Sequence, residues 1–246
     1  MRLGILLTGR VNEALVEDVG EVDEMFAVLY QAIDPTIVVE TYEALDGKLP
    51  SSAKDCDAWL VTGSKHGVYD NLPWLPALKD FLRTARREGV PLIGICFGHQ
   101  LFAETFGGRA EKFDGGWGCG VHLYALETAV PWLNGAGESF SMHAMHQDQV
   151  TTLPEDATVL ASSPFCPNAM IAYGNAALPD AISIQPHPEF TRDYAERLLD
   201  LRTGIAIPQD TAEIARASLC AGTDGLYFAR WSLDYVNAIM AAREAA

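Results

Sequence analysis

Short β-rich runs alternate with helical periodicity through the first hundred residues of this 246-residue chain. Apolar residues recur at three-to-four spacing in segments 21–33 and 75–87, which indicates two helices that each bury one face. A chain that alternates strands and helices in this way folds into a parallel sheet covered by helices. We therefore predict an α/β fold with strands at Leu3–Thr8, Thr36–Thr41, Ala58–Thr62 and Pro91–Cys96.

The strand that ends at Cys96 passes into a helix with almost no linker. Glycines at positions 94 and 98 flank the cysteine, and the helix expected over Gly98–Phe106 stops at a pair of glycines. Such a sharp turn holds a sulfur atom clear of the sheet, and the N-terminal end of the helix dipole stabilises a thiolate. The sequence therefore predicts a nucleophile elbow with Cys96 as the reactive residue.

A histidine and a glutamate follow another predicted strand, Ala181–Gln185. The prolines at 186 and 188 end this strand, because proline cannot donate a hydrogen bond to a neighbouring strand. In an extended backbone His187 and Glu189 point to the same side, so the carboxylate can accept from one imidazole nitrogen. The ends of parallel strands converge on one crevice. We therefore predict that His187 lies near Cys96 and acts as its base, with Glu189 orienting the ring.

The remaining segments differ in composition and periodicity from the first hundred residues. From 109 to about 184 the Gly-, Pro- and β-rich sequence predicts antiparallel or mixed strands that extend the sheet. Within it, 114–120 predicts a flexible turn that enters a strand, since no helix pattern or lysine follows to make a phosphate cradle. A final helix is expected to pack on the main domain through Phe228, Trp231, Tyr235 and Ile239.

The charge balance excludes several classes of partner. Seventeen Lys and Arg against 33 Asp and Glu give a net charge of −16, which repels nucleic-acid phosphates and anionic lipid heads. Apolar runs such as 90–97 are far shorter than the roughly 20 residues of a membrane helix, and the N-terminal run lacks a cleavage signature. We expect a cytoplasmic protein that acts on a small molecule and binds neither nucleic acid nor membrane.

The other cysteines and two of the histidines favour structural roles. The five cysteines are widely spaced without a Cys-x-x-Cys pair, so neither a disulfide scaffold nor a zinc site is predicted. His143 and His146 lack a clear ligand pattern, and no metal is expected there. Four cysteines are expected to be small buried core residues, namely Cys56, Cys119, Cys166 and Cys220.

Three segments resemble a known family. Gly-Ile-Cys-Phe-Gly-His-Gln at 94–100 and His-Pro-Glu at 187–189 resemble the signatures of the class I, or triad, glutamine amidotransferases, and Val-Thr-Gly-Ser at 61–64 resembles a third element. The resemblance covers about residues 1–203 in segment order. It implies the family's flavodoxin-like fold, an open, mostly parallel twisted sheet flanked by helices. We expect residues 1–205 to form this domain and residues 206–246 to form a helical extension packed on it.

The resemblance also implies roles for individual residues. Cys96, His187 and Glu189 correspond to the catalytic triad, and the backbone N–H groups of Gly63 and Phe97 to the oxyanion hole. Residues implied at the substrate site are Gln100, Gln147 and Asp148. The chemistry implied is cleavage of the γ-amide of glutamine through a γ-glutamyl thioester on the cysteine, with release of ammonia and no metal or organic cofactor.

Within that family, the stretch 63–74 resembles a stand-alone, GMP synthase-like subgroup that includes plant γ-glutamyl peptidases. We expect no nucleotide-binding domain after residue 205, and the sequence has no Gly-x-x-x-x-Gly-Lys phosphate loop. The ammonia would then pass to a separate synthetase subunit, or the protein would hydrolyse or transfer γ-glutamyl peptides. A non-catalytic regulatory or binding subunit and a thiol redox sensor based on Cys96 are the alternatives of other classes.

Overall fold

The computed structural model describes residues 1–245. The strands are β1 Arg2–Leu6, β2 Val38–Tyr42, β3 Ala58–Val61, β4 Leu92–Ile95, β5 Arg109–Lys112, β6 Gly118–Leu126, β7 Ser139–His146, β8 Asp148–Thr152, β9 Ala157–Ser162, β10 Met170–Tyr173 and β11 Ala181–Ile184. The helices are α1 Val16–Val19, α2 Val22–Gln31, α3 Leu75–Arg87, α4 Phe97–Thr105, α5 Arg192–Arg202, α6 Gln209–Ser218 and α7 Gly225–Glu244, with a short 3₁₀ helix at Ala44–Asp46.

Nine of these strands form one sheet in the order β2-β1-β3-β4-β11-β10-β9-β6-β7. The five strands from β2 to β11 are parallel to one another, and the other four continue the sheet in antiparallel pairs. A separate antiparallel pair joins β5 to β8. The open, largely parallel α/β sheet flanked by helices is confirmed, and so is its antiparallel extension from the middle of the chain.

The predicted elements of the parallel half lie close to the observed ones. The strands predicted from the first hundred residues and at Ala181–Gln185 coincide with β1 to β4 and β11, with ends that differ by at most two residues. α3 spans the predicted range, and α2 begins one residue after Glu21, whose side chain takes part in a capping box with Glu24. The turn expected at 114–120 enters β6 as predicted.

Close packing of α4 against the sheet explains the glycines around Cys96. A Cβ atom on Gly94 would lie 2.7 Å from the carbonyl oxygen of Gly98, and one on Gly98 would lie 2.5 Å from that of Val61. Both distances are shorter than van der Waals contact, so only glycine lets the helix start this near to β3 and β4. The strand-to-helix turn is therefore fixed in position by two backbone contacts.

The C-terminal helix packs on the body of the sheet. Phe228, Trp231 and Tyr235 of α7 are buried and belong to the main hydrophobic core, as the apolar stripe predicts, while Ile239 is partly buried against it. The Tyr235 hydroxyl accepts from the backbone N–H of Leu92 and donates to a carbonyl oxygen just before β11. The division of the chain at residue 205 stays a prediction.

One expectation about the cysteines is wrong. Cys56, Cys119 and Cys166 are buried as predicted, but Cys220 is exposed, because it follows the end of α6 in a turn at the surface. Its thiol lies 3.4 Å from the carbonyl oxygen of Ala217. Among residues 1–245 no helix is both long enough and apolar enough to span a bilayer.

Candidate active site

Cys96 occupies a strained backbone conformation between β4 and α4. Its φ is 52° and its ψ is −98°, and no other non-glycine residue in 1–245 has a positive φ. Its backbone N–H donates to the carbonyl oxygen of Ile184 at 2.9 Å, which ties the turn to the end of β11. A side chain in this region costs about 1–3 kcal/mol, a cost typical of residues that a functional site holds in place.

His187 and Glu189 form a buried pair beside this turn. His187 Nδ1 lies 2.7 Å from Glu189 Oε1, so the structure brings together the two side chains that the period-two spacing predicts to meet. The backbone N–H of His187 donates to the carbonyl oxygen of His143 on β7 at 2.8 Å. The imidazole stacks on the ring of Phe190 with centroids 4.0 Å apart, so backbone and ring contacts together fix its orientation.

The charges around His187 favour its protonated form. Burial alone would lower the pKa of the ring, but the negative charges of Glu189 and Cys96 and hydrogen bonds to both raise this pKa to about 10. The second oxygen of the Glu189 carboxylate, Oε2, is buried without a hydrogen-bond partner in the described chain. The ring can therefore hold a proton next to the sulfur at neutral pH, as a proton donor to a leaving amine must.

The two residues predicted for the oxyanion hole, Gly63 and Phe97, both adjoin Cys96. A Cβ on Gly63 would sit 2.9 Å from Cε1 of His187 and 3.7 Å from Cβ of Cys96, so the Gly63 backbone adjoins both side chains. Its N–H donates to no group within residues 1–245. Phe97 is the first residue of α4, where backbone N–H groups have no intrahelical acceptor.

One cavity brings the predicted substrate residues together with Cys96. It has a volume of about 270 Å³, and Cys96, Gln100, Gln147 and Asp148 line it; we call it the Gln100 cavity. The amide nitrogen of Gln100 donates to the Asp148 carbonyl oxygen at 2.9 Å. The Asp148 carboxylate accepts from the hydroxyl of Tyr69 at 2.8 Å, so contacts between side chains hold this wall in place.

Sequence reasoning missed several residues of this cavity. Its lining includes two lysines without an ion pair in the described chain, Lys65 and Lys112, and also Trp117 and Arg202. The Arg202 guanidinium lies over the Trp117 ring, 5.6 Å from its centroid. Arg202 comes from the last turn of α5, and no motif marks it; only the glycine-rich turn around Trp117 gave a local signal.

A narrow crevice at Cys96 adjoins a second, larger cavity. Cys96, Gly63, His187 and Glu189 line the crevice, which has a volume of about 70 Å³ and which we call the His187 crevice. It shares seven lining residues with a cavity of about 550 Å³, the Arg10 cavity: Gly9, Arg10, Ser64, Lys65, Tyr194, Leu198 and Arg202. Cys96 therefore lines both the Gln100 cavity and the His187 crevice, and the Arg10 cavity adjoins the crevice.

The two histidines of β7 are buried and neutral. Burial lowers the pKa of His143 to about 4 and that of His146 to about 3. His146 also lines the Gln100 cavity, and its Nδ1 pairs with the carbonyl oxygen of Asp148. No three His, Cys, Asp or Glu side chains in the described part of the chain are grouped as metal ligands.

Comparison with known proteins identifies the family. The family described as glutamine amidotransferase class-I matches residues 24–199. This chain belongs to the class I glutamine amidotransferases. It is 30% identical to gamma-glutamyl peptidase 4 of Arabidopsis thaliana over 189 residues, which cover 73% of each protein.

More distant amidotransferases share shorter segments or the fold alone. A subunit of the glutamine-hydrolyzing GMP synthase of Methanothrix thermoacetophila is 34% identical over 122 residues, which cover 49% of this chain and 64% of that protein. The crystal structure of a glutamine amidotransferase from Thermotoga maritima superposes with a TM-score of 0.72 at 17% identity, over 96% of this chain and 97% of that one. The latter likeness shows a common amidotransferase fold.

Proposed function

We propose that this class I amidotransferase cleaves the γ-glutamyl amide bond of glutamine through a thioester on Cys96. The observation that carries the proposal is the strained turn at Cys96 beside the buried His187–Glu189 pair, whose atoms Nδ1 and Oε1 are 2.7 Å apart. A nucleophile, a base and a group that orients the base are what acyl transfer to sulfur needs.

The reaction follows from these positions. The thiolate of Cys96 attacks the γ-carbonyl carbon, and the electron pair of the C=O bond moves to the oxygen, where N–H groups of Gly63 and Phe97 stabilise it. The intermediate collapses, the C–N bond breaks, and His187 gives its proton to the departing nitrogen. Water then attacks the thioester while neutral His187 takes its proton. Glutamate leaves, and the proton on His187 balances the thiolate of Cys96.

The Gln100 cavity is the proposed site for the glutamyl part of the substrate. It adjoins the sulfur, and its volume of about 270 Å³ suits one amino acid side chain and backbone. Gln100, Gln147 and Asp148 line it with amide and carboxylate groups that can contact the α-amino and α-carboxylate groups. This assignment places the scissile bond at the His187 crevice, where His187 reaches the leaving nitrogen.

A second candidate function is hydrolysis or transfer of γ-glutamyl peptides. The similarity to a protein named gamma-glutamyl peptidase favours it, and so does the large cavity that adjoins the His187 crevice. The similarity to a subunit of a glutamine-hydrolyzing GMP synthase favours instead a role in which a separate synthetase takes the ammonia from glutamine. Both candidates use the Cys96 sulfur as the nucleophile. They differ in the group that leaves the γ-carbonyl carbon, which is ammonia in one case and an amino acid or peptide in the other.

The experiment that tests the proposal measures ammonia and amine release by the purified chain. Glutamine and γ-glutamylalanine are offered in turn, and the Cys96→Ala variant is the control. We expect turnover that depends on Cys96, and the preferred substrate separates the two candidates. Absence of turnover together with failure of Cys96 to react with iodoacetamide would contradict the proposal and favour a non-catalytic subunit.

A further inference from the structure

We propose that the Arg10 cavity receives the leaving group of a γ-glutamyl peptide and that the Arg202 guanidinium binds this peptide's C-terminal carboxylate. The inference rests on the proposed cleavage at Cys96 and names the substrate class for that site. Its support comes from the size of the cavity, its position relative to His187 and the unpaired charge of Arg202.

The size of the Arg10 cavity exceeds what glutamine cleavage needs. Ammonia has one heavy atom and takes about the space of a water molecule, roughly 30 Å³. The cavity has about 550 Å³, within the range of sites that enclose a small organic ligand. An amino acid or dipeptide that departs from the γ-carbonyl carbon would fill part of it, whereas ammonia would leave it empty.

The position of the Arg10 cavity matches the direction in which the nitrogen departs. His187 must reach the leaving nitrogen to protonate it, and His187 lines the crevice that adjoins the Arg10 cavity. His187 does not line the Gln100 cavity. The glutamyl part and the leaving group can therefore occupy two adjoining cavities, which share Ser64, Lys65, His66 and Arg202.

Two cations in this cavity form no ion pair within residues 1–245, and Arg202 is half-buried whereas Lys65 is exposed, so Arg202 is the one held in place to bind an anion. Arg10 also lines the cavity, but its guanidinium is already paired with Glu43 at 3.0 Å and with Asp46 at 2.8 Å. Within residues 1–245 the half-buried Arg202 forms no ion pair, and its guanidinium contacts the Trp117 ring. A planar guanidinium held in this way can bind a carboxylate through two parallel hydrogen bonds.

The acidic residues of the cavity restrict where a carboxylate can sit. Glu13 and Glu21 line the Arg10 cavity with negative charge, although Glu21 Oε2 already accepts from the N–H of Val11 at 3.1 Å. A substrate carboxylate is repelled from these groups and attracted to Arg202 at the boundary with the His187 crevice. The cavity charges therefore favour a short leaving group, such as one or two residues, whose carboxylate stays close to the scissile bond.

The test measures binding separately from turnover. The Cys96→Ala chain is titrated by calorimetry with γ-glutamylalanine, with γ-glutamylalaninamide, which lacks the C-terminal charge, and with glutamine. The same titrations are repeated with the Cys96→Ala chain that also carries Arg202→Gln or Arg202→Lys. Arg197→Gln is the matched control, because Arg197 lies on the same helix but pairs at the surface with Asp18 and Asp193.

We expect Arg202→Gln to weaken binding of γ-glutamylalanine by about 30-fold, as loss of a charge-assisted hydrogen bond does, and Arg202→Lys to weaken it less. Binding of γ-glutamylalaninamide and glutamine should change by less than about 3-fold, and Arg197→Gln should change none of the three. Circular dichroism spectra that match those of the parent would show that the variants are folded.

Two results would overturn the inference. If Arg202→Gln weakens the binding of glutamine as much as that of γ-glutamylalanine, Arg202 binds the α-carboxylate of the glutamyl part instead. If the chain with Arg202 intact binds the acid and the amide equally, no carboxylate is recognised there. Turnover by the chain with Cys96 decides the proposed function separately. Binding that depends on Arg202 without any amine release would leave Arg202 as a carboxylate-binding residue and would overturn the cleavage chemistry.

Discussion

The parallel and antiparallel halves of the sheet contribute differently to the site. In the parallel half, β3, β4 and β11 are buried at every position, and Cys96 and His187 follow the ends of the adjacent strands β4 and β11. In the antiparallel half, β6 and β9 carry partly exposed residues, and β7 contributes the His143 carbonyl oxygen that holds His187. The pair β5–β8 adds Asp148 to the wall of the Gln100 cavity.

The difference lies in what holds each group in place. Backbone strain and close glycine packing position the proposed reacting atoms, and neither can change without moving a strand or a helix. Side-chain hydrogen bonds such as Tyr69 to Asp148 position the cavity wall, and these can be lost one at a time. Substitutions in the parallel half should therefore abolish the reaction or the fold, whereas substitutions in the wall should tune binding.

The largest expected effect is on the base. His187→Ala removes the only group placed to give a proton to the leaving nitrogen in the proposed mechanism, so we expect kcat/KM to fall by about 10³-fold. His122→Ala, on β6, is the matched control and should keep activity within about 3-fold. Steady-state amine release measures both variants. If the two variants had equal activity, the proposed separation of roles between the halves would be wrong.

The next effect is on stability. Gly98→Ala places a Cβ 2.5 Å from the Val61 carbonyl oxygen, so α4 must move off the sheet at a cost of about 3 kcal/mol. For a chain of this size that lowers Tm by roughly 10 °C. Gly137→Ala precedes β7 in the antiparallel half, where the nearest atom to the new Cβ is 3.9 Å away, so Tm should hardly change. Thermal unfolding of both variants measures the contrast.

The sequence predicted the parallel half well for physical reasons. Its central strands β3, β4 and β11 are short, mostly apolar runs that are buried at every position, and its helices have a clear apolar stripe. Pattern and structure therefore agree to within two residues. The sharp turn at Cys96 was predictable because glycines flank the cysteine where an apolar run passes directly into a helical pattern. The local spacing of His187 and Glu189 likewise determines that these side chains meet.

The antiparallel half and the cavities were predictable only in outline. The strands β6 to β9 mix buried and exposed residues without regular alternation, so their ends carry no clear sequence signal. Arg202 and Trp117 come from distant segments and meet only after the chain has folded. Arg202 lies in no motif, so the sequence alone did not indicate that its guanidinium would lie near Cys96.

A smaller effect is expected at the residue that orients the base. Glu189→Gln removes the negative charge that helps to raise the pKa of His187 to about 10, so this pKa should fall and the ring should lose its proton at lower pH. We expect kcat/KM at neutral pH to drop by about 30-fold, less than for His187→Ala. Titration of the His187 ring signals by NMR measures the shift, with the exposed Glu213→Gln as control. An unchanged pKa would mean that Glu189 does not stabilise the imidazolium.

The smallest effect is expected in the wall of the Gln100 cavity. Tyr69→Phe removes the hydroxyl that donates to the Asp148 carboxylate at 2.8 Å, and the ring is more than half exposed, so the fold should be unaffected. Loss of one such hydrogen bond costs about 1 kcal/mol, which corresponds to an increase of about 5-fold in KM. Because the bond is remote from the reacting atoms, kcat should stay within about 2-fold. If kcat fell as far as KM rises, the wall would be acting on the transition state, and the two halves of the sheet would share the catalytic role rather than divide it.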